Sequence, residues 1–213
     1  MQIKNLSFQH HAGAPFFQNL SFELEEGLIH ALHGKNGVGK SVLLHLLSQQ
    51  IDHHIEGGEA ALMNQQFDLT LVQQFSFLEN LQFSLLSRFP NPLKKIKAHA
   101  IPEQFIQLLK QFHIDVHIPV CQLSGGQRQI LALLMKLQKA PRILLLDEPT
   151  ATLDEQNAEM VFEFLSRLRG VTMLIVCHDQ ELIQRYTTGQ ELYLEIGSNG
   201  VRQLKELIKN FPQ

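Results

Sequence analysis

The sequence predicts a wound α/β fold with an antiparallel β edge and an inserted α-helical subdomain, on three features. Short uninterrupted apolar runs, Ile143–Leu146 and Met173–Cys177, alternate with stretches of helical spacing, as in strands buried on both faces of a parallel sheet. The run Leu28–His33 leads straight into a glycine-rich loop and then a helix beginning at Lys40. From about residue 67 to residue 120 the strand pattern gives way to amphipathic helical spacing.

Taken in order, Ile3–Phe8 and Leu20–Leu24 alternate roughly between apolar and polar and read as an antiparallel pair. Leu28–His33 is a third strand, Lys40–Ser48 a helix and Ala60–Met63 another short strand. Leu78–Leu86 and Glu103–Phe112 read as amphipathic helices joined by a basic, proline-containing connector, PNPLKKIKAHAIP. These define a helical subdomain at about 67–120, set into a core with its β subdomain at about 1–66 and 121–213. A helix follows Ser124, a strand spans Ile143–Leu146, and a helix runs from about Asp154 to Arg169. Met173–Cys177 is again a strand, and Val201–Lys209 is a short amphipathic end. The whole chain, 1–213, is expected to be a single unit.

Composition narrows the function. A hydrophobic content of 44% supports a real core, and a formal net charge of -3 offers no strong field to nucleic acid or anionic lipid. No nucleic-acid partner is expected. No apolar run approaches the ~18–20 residues that cross a bilayer, and MQIKNLSF has no basic segment ahead of an apolar one. The chain is expected in the cytoplasm, reaching a membrane only through a partner. Cys121 and Cys177 lie far apart with no C-x-x-C, so both are expected as reduced, largely buried thiols. His10–His11 and His53–His54 are adjacent pairs and lack the i, i+4 spacing of a helical metal pair.

Three motifs carry chemistry. Gly34-Lys35-Asn36-Gly37-Val38-Gly39-Lys40-Ser41 matches G-x-x-x-x-G-K-[ST]. Its glycines let the backbone wrap phosphate and turn successive N–H groups inward, and the helix after it adds a positive dipole end. Lys40 should reach the β- and γ-phosphates and Ser41 should hold Mg²⁺. A purely structural glycine turn is the alternative, but the strand before and helix after supply the context of a phosphate loop. Next, the run Ile143–Leu146 delivers Asp147 and Glu148 to a strand's C-terminal end, where α/β sheets bind ligands. Asp147 can hold Mg²⁺ through water and Glu148 can polarise an attacking water; an acid at that place can also simply cap a helix. Third, in Leu123-Ser124-Gly125-Gly126-Gln127, Ser124 is a good N-cap and the glycines expose helix N–H groups, making a second anion site.

In this order the motifs resemble those of the ABC (ATP-binding cassette) ATPases, a branch of the P-loop NTPases, from Ile3 to about Ile196. The resemblance implies ATP and Mg²⁺ as ligands. It makes Gln65, in MNQQFDL, the Gln-loop residue that contacts Mg²⁺ or water, with Gln66 as the alternative; either amide could also be merely solvated. Ala151–Asp154 matches the D-loop, in which Asp154 can also cap a helix, and His178 matches the switch histidine at the γ-phosphate. Catalysis would fall to Glu148 and His178. Val42 stands where threonine is common, beside a Ser41 that already supplies the hydroxyl. The aromatic side chain that stacks adenine is replaced by His10, with Phe16 as the alternative.

The resemblance further implies a head-to-tail homodimer, ATP lying between the Gly34–Ser41 loop of one subunit and the Ser124–Gln127 turn of the other. Closure would drive a separate integral membrane permease, with the chain peripheral on the cytoplasmic face of the cell (inner) membrane. A substrate-binding protein would join an importer. The docking surface is expected around Gln65–Ser87, centred on Ser76–Leu81. The run ILALLMKL after LSGGQRQ resembles ATPases of a bacterial importer group for tryptophan/tyrosine-type uptake. Two other readings are a soluble ABC ATPase outside transport and a nucleotide-gated scaffold. The scaffold would lack Lys40, Glu148 or His178, all of which are present.

Overall fold

The computed structural model describes residues 1–9, 15–54, 60–85 and 101–207, the side chains of 50–54 apart. His10, His11 and most of the basic connector fall outside these residues, as do the side chains of His53 and His54.

The strands are β1 (Gln2–Gln9), β2 (Pro15–Glu23), β3 (Ile29–His33), β4 (Ala60–Met63), β5 (Ile143–Asp147), β6 (Thr172–Val176), β7 (Glu191–Ile196) and β8 (Arg202–Leu207). The helices are α1 (Lys40–His54), α2 (Phe77–Ser84), α3 (Glu103–Gln111), α4 (Gly125–Leu137), α5 (Glu155–Arg167) and α6 (Gln180–Tyr186). The described strands form one sheet in the order β1-β2-β8-β7-β3-β6-β5-β4.

The central strands β3, β6 and β5 pair in parallel, as do β4 with β5 and β7 with β3. β5 and β6 are apolar over most of their length because each of their faces meets a different core, and β3 sets the buried His30 among apolar residues. Ala31, Leu144, Leu146, Met173 and Ile175 pack on the side of α2 to α6. Leu32, Ile143, Leu145, Leu174 and Val176 pack against α1, β1 and β2. A one-residue slip would exchange these two sets, so the double burial fixes the register.

The expected antiparallel edge is present, but β2 begins at Pro15, ahead of the predicted Leu20. The pairing is bulged, and its irregularities accompany Asn5 and Asn19 at φ 55° and 50°. Asn tolerates this left-handed region, and hydroxyls across the edge take up the backbone donors: Asn5 N–H to Ser21 Oγ at 3.0 Å, Asn19 N–H to Ser7 Oγ at 2.9 Å. The bulges break the strict alternation that marks a strand in sequence. Helix α1 outruns its predicted end at Ser48 by six residues, to His54. Where only an amphipathic end was expected, β8 pairs antiparallel with β7 and touches β2 through Phe17 and Arg202, joining the edge to the parallel core.

One expectation is corrected. Cys121 is exposed, although Cys177 is half-buried. The short 3-10 turn Val120–Gln122 spends its inward position on Val120 and leaves its next residue at the surface. No helix among the described residues is long and apolar enough to cross a membrane.

Phe162 of α5 is fully buried, its ring 5.6 Å from that of Tyr186. Phe162→Ala is therefore expected to lower stability by about 3–5 kcal/mol, measured as a shift in the urea unfolding midpoint at constant slope.

Candidate active site

Parallel register brings three chain segments to one edge of the sheet. Ile29 pairs with Met173 and Asp147 with Val176, so β3, β6 and β5 end side by side. From these ends leave the Gly34–Ser41 loop, the Cys177–His178 pair and Glu148.

The loop is held in a conformation only glycine permits at its ends. Gly34 has φ 146°, and a Cβ there would lie 2.5 Å from the Leu194 carbonyl oxygen. Gly39 has φ 112°, and a Cβ would lie 2.7 Å from the Phe16 ring. Between them, Lys35, Asn36 and Gly37 are exposed while Val38 is buried as an anchor. Lys40 Nζ donates to the carbonyls of Gly34 at 2.8 Å and Lys35 at 3.3 Å, so the loop curls around the ammonium. An ammonium has three donors, and these bonds use two. Ser41 is exposed and Val42 half-buried in the first turn of α1, which carries no acid that would repel an anion.

Asp147 is 3% and Glu148 7% exposed, and Asp147 Oδ1 is buried with no hydrogen-bond partner. Glu148 has φ 56°, a left-handed conformation costly for a non-glycine residue. Its N–H donates to Val176 O at 2.9 Å. His178 Nε2 lies 3.2 Å from Glu148 Oε1, close enough for an ionic contact but without hydrogen-bond alignment. Burial pushes the Glu148 carboxyl above its ordinary range; His178 and Lys40 oppose the shift and the Asp147 charge adds to it. A cleft lined by Gly34, Lys35, Lys40, Cys177 and His178 opens beside these groups. An orphaned carboxylate oxygen at the strand edge that also launches the Lys40–Ser41 turn fits a divalent cation.

Ser124–Gln127 and Asp154 gather elsewhere. They line a separate depression with Phe112, His113 and Asn157, and no residue is shared with the Lys40 cleft. Ser124 caps α4 in a reciprocal capping box with Gln127. Asp154 caps α5, its carboxylate accepting from Asn157 N at 2.9 Å and Nδ2 at 2.8 Å. Gly126 has a packing cause invisible in the sequence: a Cβ there would lie 2.6 Å from Leu153 Cδ2, whereas one on Gly125 would meet nothing closer than 3.7 Å. Gln65 and Gln66 are both exposed; since Met63 pairs with Leu146, they leave the sheet at the level of Asp147 and Glu148.

Of the two adenine-stacking candidates, His10 lies outside the described residues. Phe16 does adjoin the glycine-rich loop, but the Arg202 guanidinium covers its ring at 3.7 Å from the centroid while reaching Val38 O at 3.4 Å. Sequence reasoning missed Arg202, which only the pairing of β8 brings to the loop. It also missed Gln129, whose one signal was a polar residue on the apolar stripe of α4.

A glycine-rich loop between a parallel strand and a helix, with an acid-tipped strand one place further along the same sheet, β6 lying between them, fits the P-loop NTPase fold. Residues 17–151, more than half of the chain, match the family model described as ABC transporter, and the chain belongs to that family. It is an ATPase. It is similar to two dimeric structures of MJ0796, a bacterial ABC transporter cassette, one in a post-hydrolysis state bound to ADP and Pi. Both show 23% identity and a TM-score of 0.74 over 98% of this chain and 99% of theirs. A nucleotide-free ATP-binding cassette from an ABC transporter matches at 19% identity and a TM-score of 0.67, over 91% of this chain and 87% of that one.

The raised Glu148 carboxyl sets a stability test. A folded pKa above the unfolded one contributes stability in full below the ordinary glutamate value of about 4.3, and that contribution is lost as pH rises through the folded pKa. Glu148→Gln should therefore match the wild type near pH 4 and exceed it at pH 8, with the gap opening between. Urea unfolding of the nucleotide-free chain across this range would read it, and a gap independent of pH would contradict it.

Proposed function

We propose that this ATPase is the energy-coupling subunit of a transporter, acting as a head-to-tail pair that closes on ATP and works a separate integral membrane permease. The observation that carries this reading is the division of anion-presenting groups between two clefts with no common residue. One nucleotide cannot use both within one subunit. A rotated second copy would bring its Ser124–Gln127 turn and Asp154 to the Gly34–Val42 loop of the first.

In that arrangement Lys40 and the loop N–H groups hold the β- and γ-phosphates. Ser41 and Asp147, with Gln65 at the sheet edge, would hold Mg²⁺, which neutralises phosphate charge when bound. Ionised Glu148 orients a water and takes its proton as the water oxygen bonds to the γ-phosphorus. The bond from that phosphorus to the bridging oxygen of the departing ADP breaks. His178 steadies the γ-phosphate from the next strand end. The adenine would lie toward the β1–β2 edge, where Arg202 already covers the Phe16 ring and His10 is the remaining stacking candidate.

The surface around Gln65–Ser87, at the start of the segment read as the helical subdomain, would face the permease from the cytoplasmic side of the inner membrane. Leu69, Phe75, Phe83 and Leu85 are exposed there at 81%, 50% or near 37–38%, an apolar surface suited to a partner. Glu79 is the wrong probe of this surface, because its carboxylate accepts from Ser76 N at 2.7 Å and Ser76 Oγ at 2.8 Å in the cap of α2. Phe83 is the better one. The likeness of Ile130–Leu137 to an importer group supports tryptophan- or tyrosine-type substrates, delivered by a binding protein. Those residues themselves are mostly core, so the choice of substrate would rest with the permease.

Glu148→Gln should form a dimer with ATP that sedimentation detects and that Lys40→Ala abolishes; a monomer at saturating ATP would sink the paired reading. Trapped in its host with ATP, the same variant should co-purify a polytopic membrane protein, and Phe83→Asp should release it. A purely soluble complex would favour an ABC ATPase outside transport.

A further inference from the structure

Gln129 is the polar exception on the buried face of α4, 1% exposed among Ile130, Ala132 and Leu133. Its Nε2 donates to the Glu148 carbonyl at 3.0 Å. Its Oε1 accepts from the Thr152 backbone N–H at 3.2 Å and the Thr152 hydroxyl at 2.5 Å. Only one orientation of the amide satisfies a carbonyl at one end and two donors at the other, so the side chain is fixed in direction as well as place.

Both of its partners sit where the backbone is under constraint. Glu148 has φ 56°, which persists only where the surroundings over-determine it. On one side β6 holds it, through Glu148 N–H to Val176 O at 2.9 Å; on the other its carbonyl takes Gln129 and, at 3.3 Å, Ala151 N–H. Thr152 in turn packs on the glycines that open α4, its Cβ 3.7 Å from where a Gly125 Cβ would stand, with Leu153 filling the Cβ space of Gly126. One buried amide thus joins three segments of a single subunit: the Ser124–Gln127 turn, the Ala151–Asp154 turn and the backbone of Glu148. The first two contribute to one cleft, and Glu148 lies beside the other, 3.2 Å from the His178 that lines it.

We propose that Gln129 is a positioning residue for hydrolysis, locking the Glu148 peptide, and so its carboxylate, to the helix that engages the opposing subunit's nucleotide. Nucleotide contact at one cleft is thereby felt at the acid serving the other. The inference rests on the reading of Glu148 as the group that activates water.

Gln129→Met keeps length and bulk while removing both hydrogen-bonding ends. On the full chain it should lower kcat about ten-fold or more while ATP affinity, read with a fluorescent analogue, stays within about two-fold. In a Glu148→Gln background it should change the residual rate by no more than about two-fold, because the group it acts through is gone. Thr152→Val, which removes only the hydroxyl donor from an exposed residue, should lower kcat by about three-fold, and Thr152→Ser should not. Unchanged kcat in Gln129→Met, or a further ten-fold loss on top of Glu148→Gln, would overturn the proposal. Should Gln129→Met fail to fold, equal kcat for Thr152→Val and Thr152→Ser would overturn it, and a loss confined to valine would sustain it. A wild type that hydrolyses ATP while Glu148→Gln retains full turnover would instead defeat the reading beneath, and this inference with it.

Discussion

The site depends on the burial of β3, β6 and β5 between two separate apolar cores. Parallel pairing alone would tolerate sliding. Burial on both faces does not, because a shift by one residue would carry Ile143 and Leu145 into the space of Leu144 and Leu146. With the register fixed, three strands end at one level, and the segment leaving each strand is committed to the same edge. The loop, the acids and the histidine come from distant parts of the chain, and a rigid sheet holds them in place.

That edge carries the features that a sequence optimised for stability alone would avoid. Asp147 has a buried oxygen without a partner, and Glu148 is both buried and forced into a left-handed conformation. Each costs free energy in the nucleotide-free chain. Glycines at both ends of the loop bring its backbone against Leu194 and Phe16, closer than any side chain would allow. Such violations of local preference, gathered at one end of an otherwise consistent core, are what a preorganised charged site requires.

Helix α4 is the second organising element. Its first turn is capped by Ser124, its Arg128 meets Asp68 at 3.0 Å in the 3-10 turn just after Gln65 and Gln66, and its Gln129 reaches Glu148 and Thr152. Adjacent residues on a helix point about 100° apart, so neighbours in sequence serve different parts of the molecule. The same helix buries Ile130 to Leu134 in the core, which anchors it against the sheet.

The sequence by itself determined the α/β class, the central strands, the glycine-rich loop between strand and helix, and the order of the motifs around it. Continuous apolar runs and glycine spacing are local signals with local causes. It was less informative where the cause is a distant contact. The bulged edge hid β2 behind Asn19, and β8 is a strand because β7 and β2 flank it. Cys121 is exposed because Val120 takes the inward position of their turn. Gly126 also has a packing reason that the sequence does not show, the space of its missing Cβ being filled by Leu153. Only the tertiary structure put Ser124–Gln127 and Lys40 in different clefts, covered Phe16 with Arg202 and joined Gln129 to Glu148. Those relations are set by packing between segments far apart in the chain, and no periodicity within any one segment encodes them.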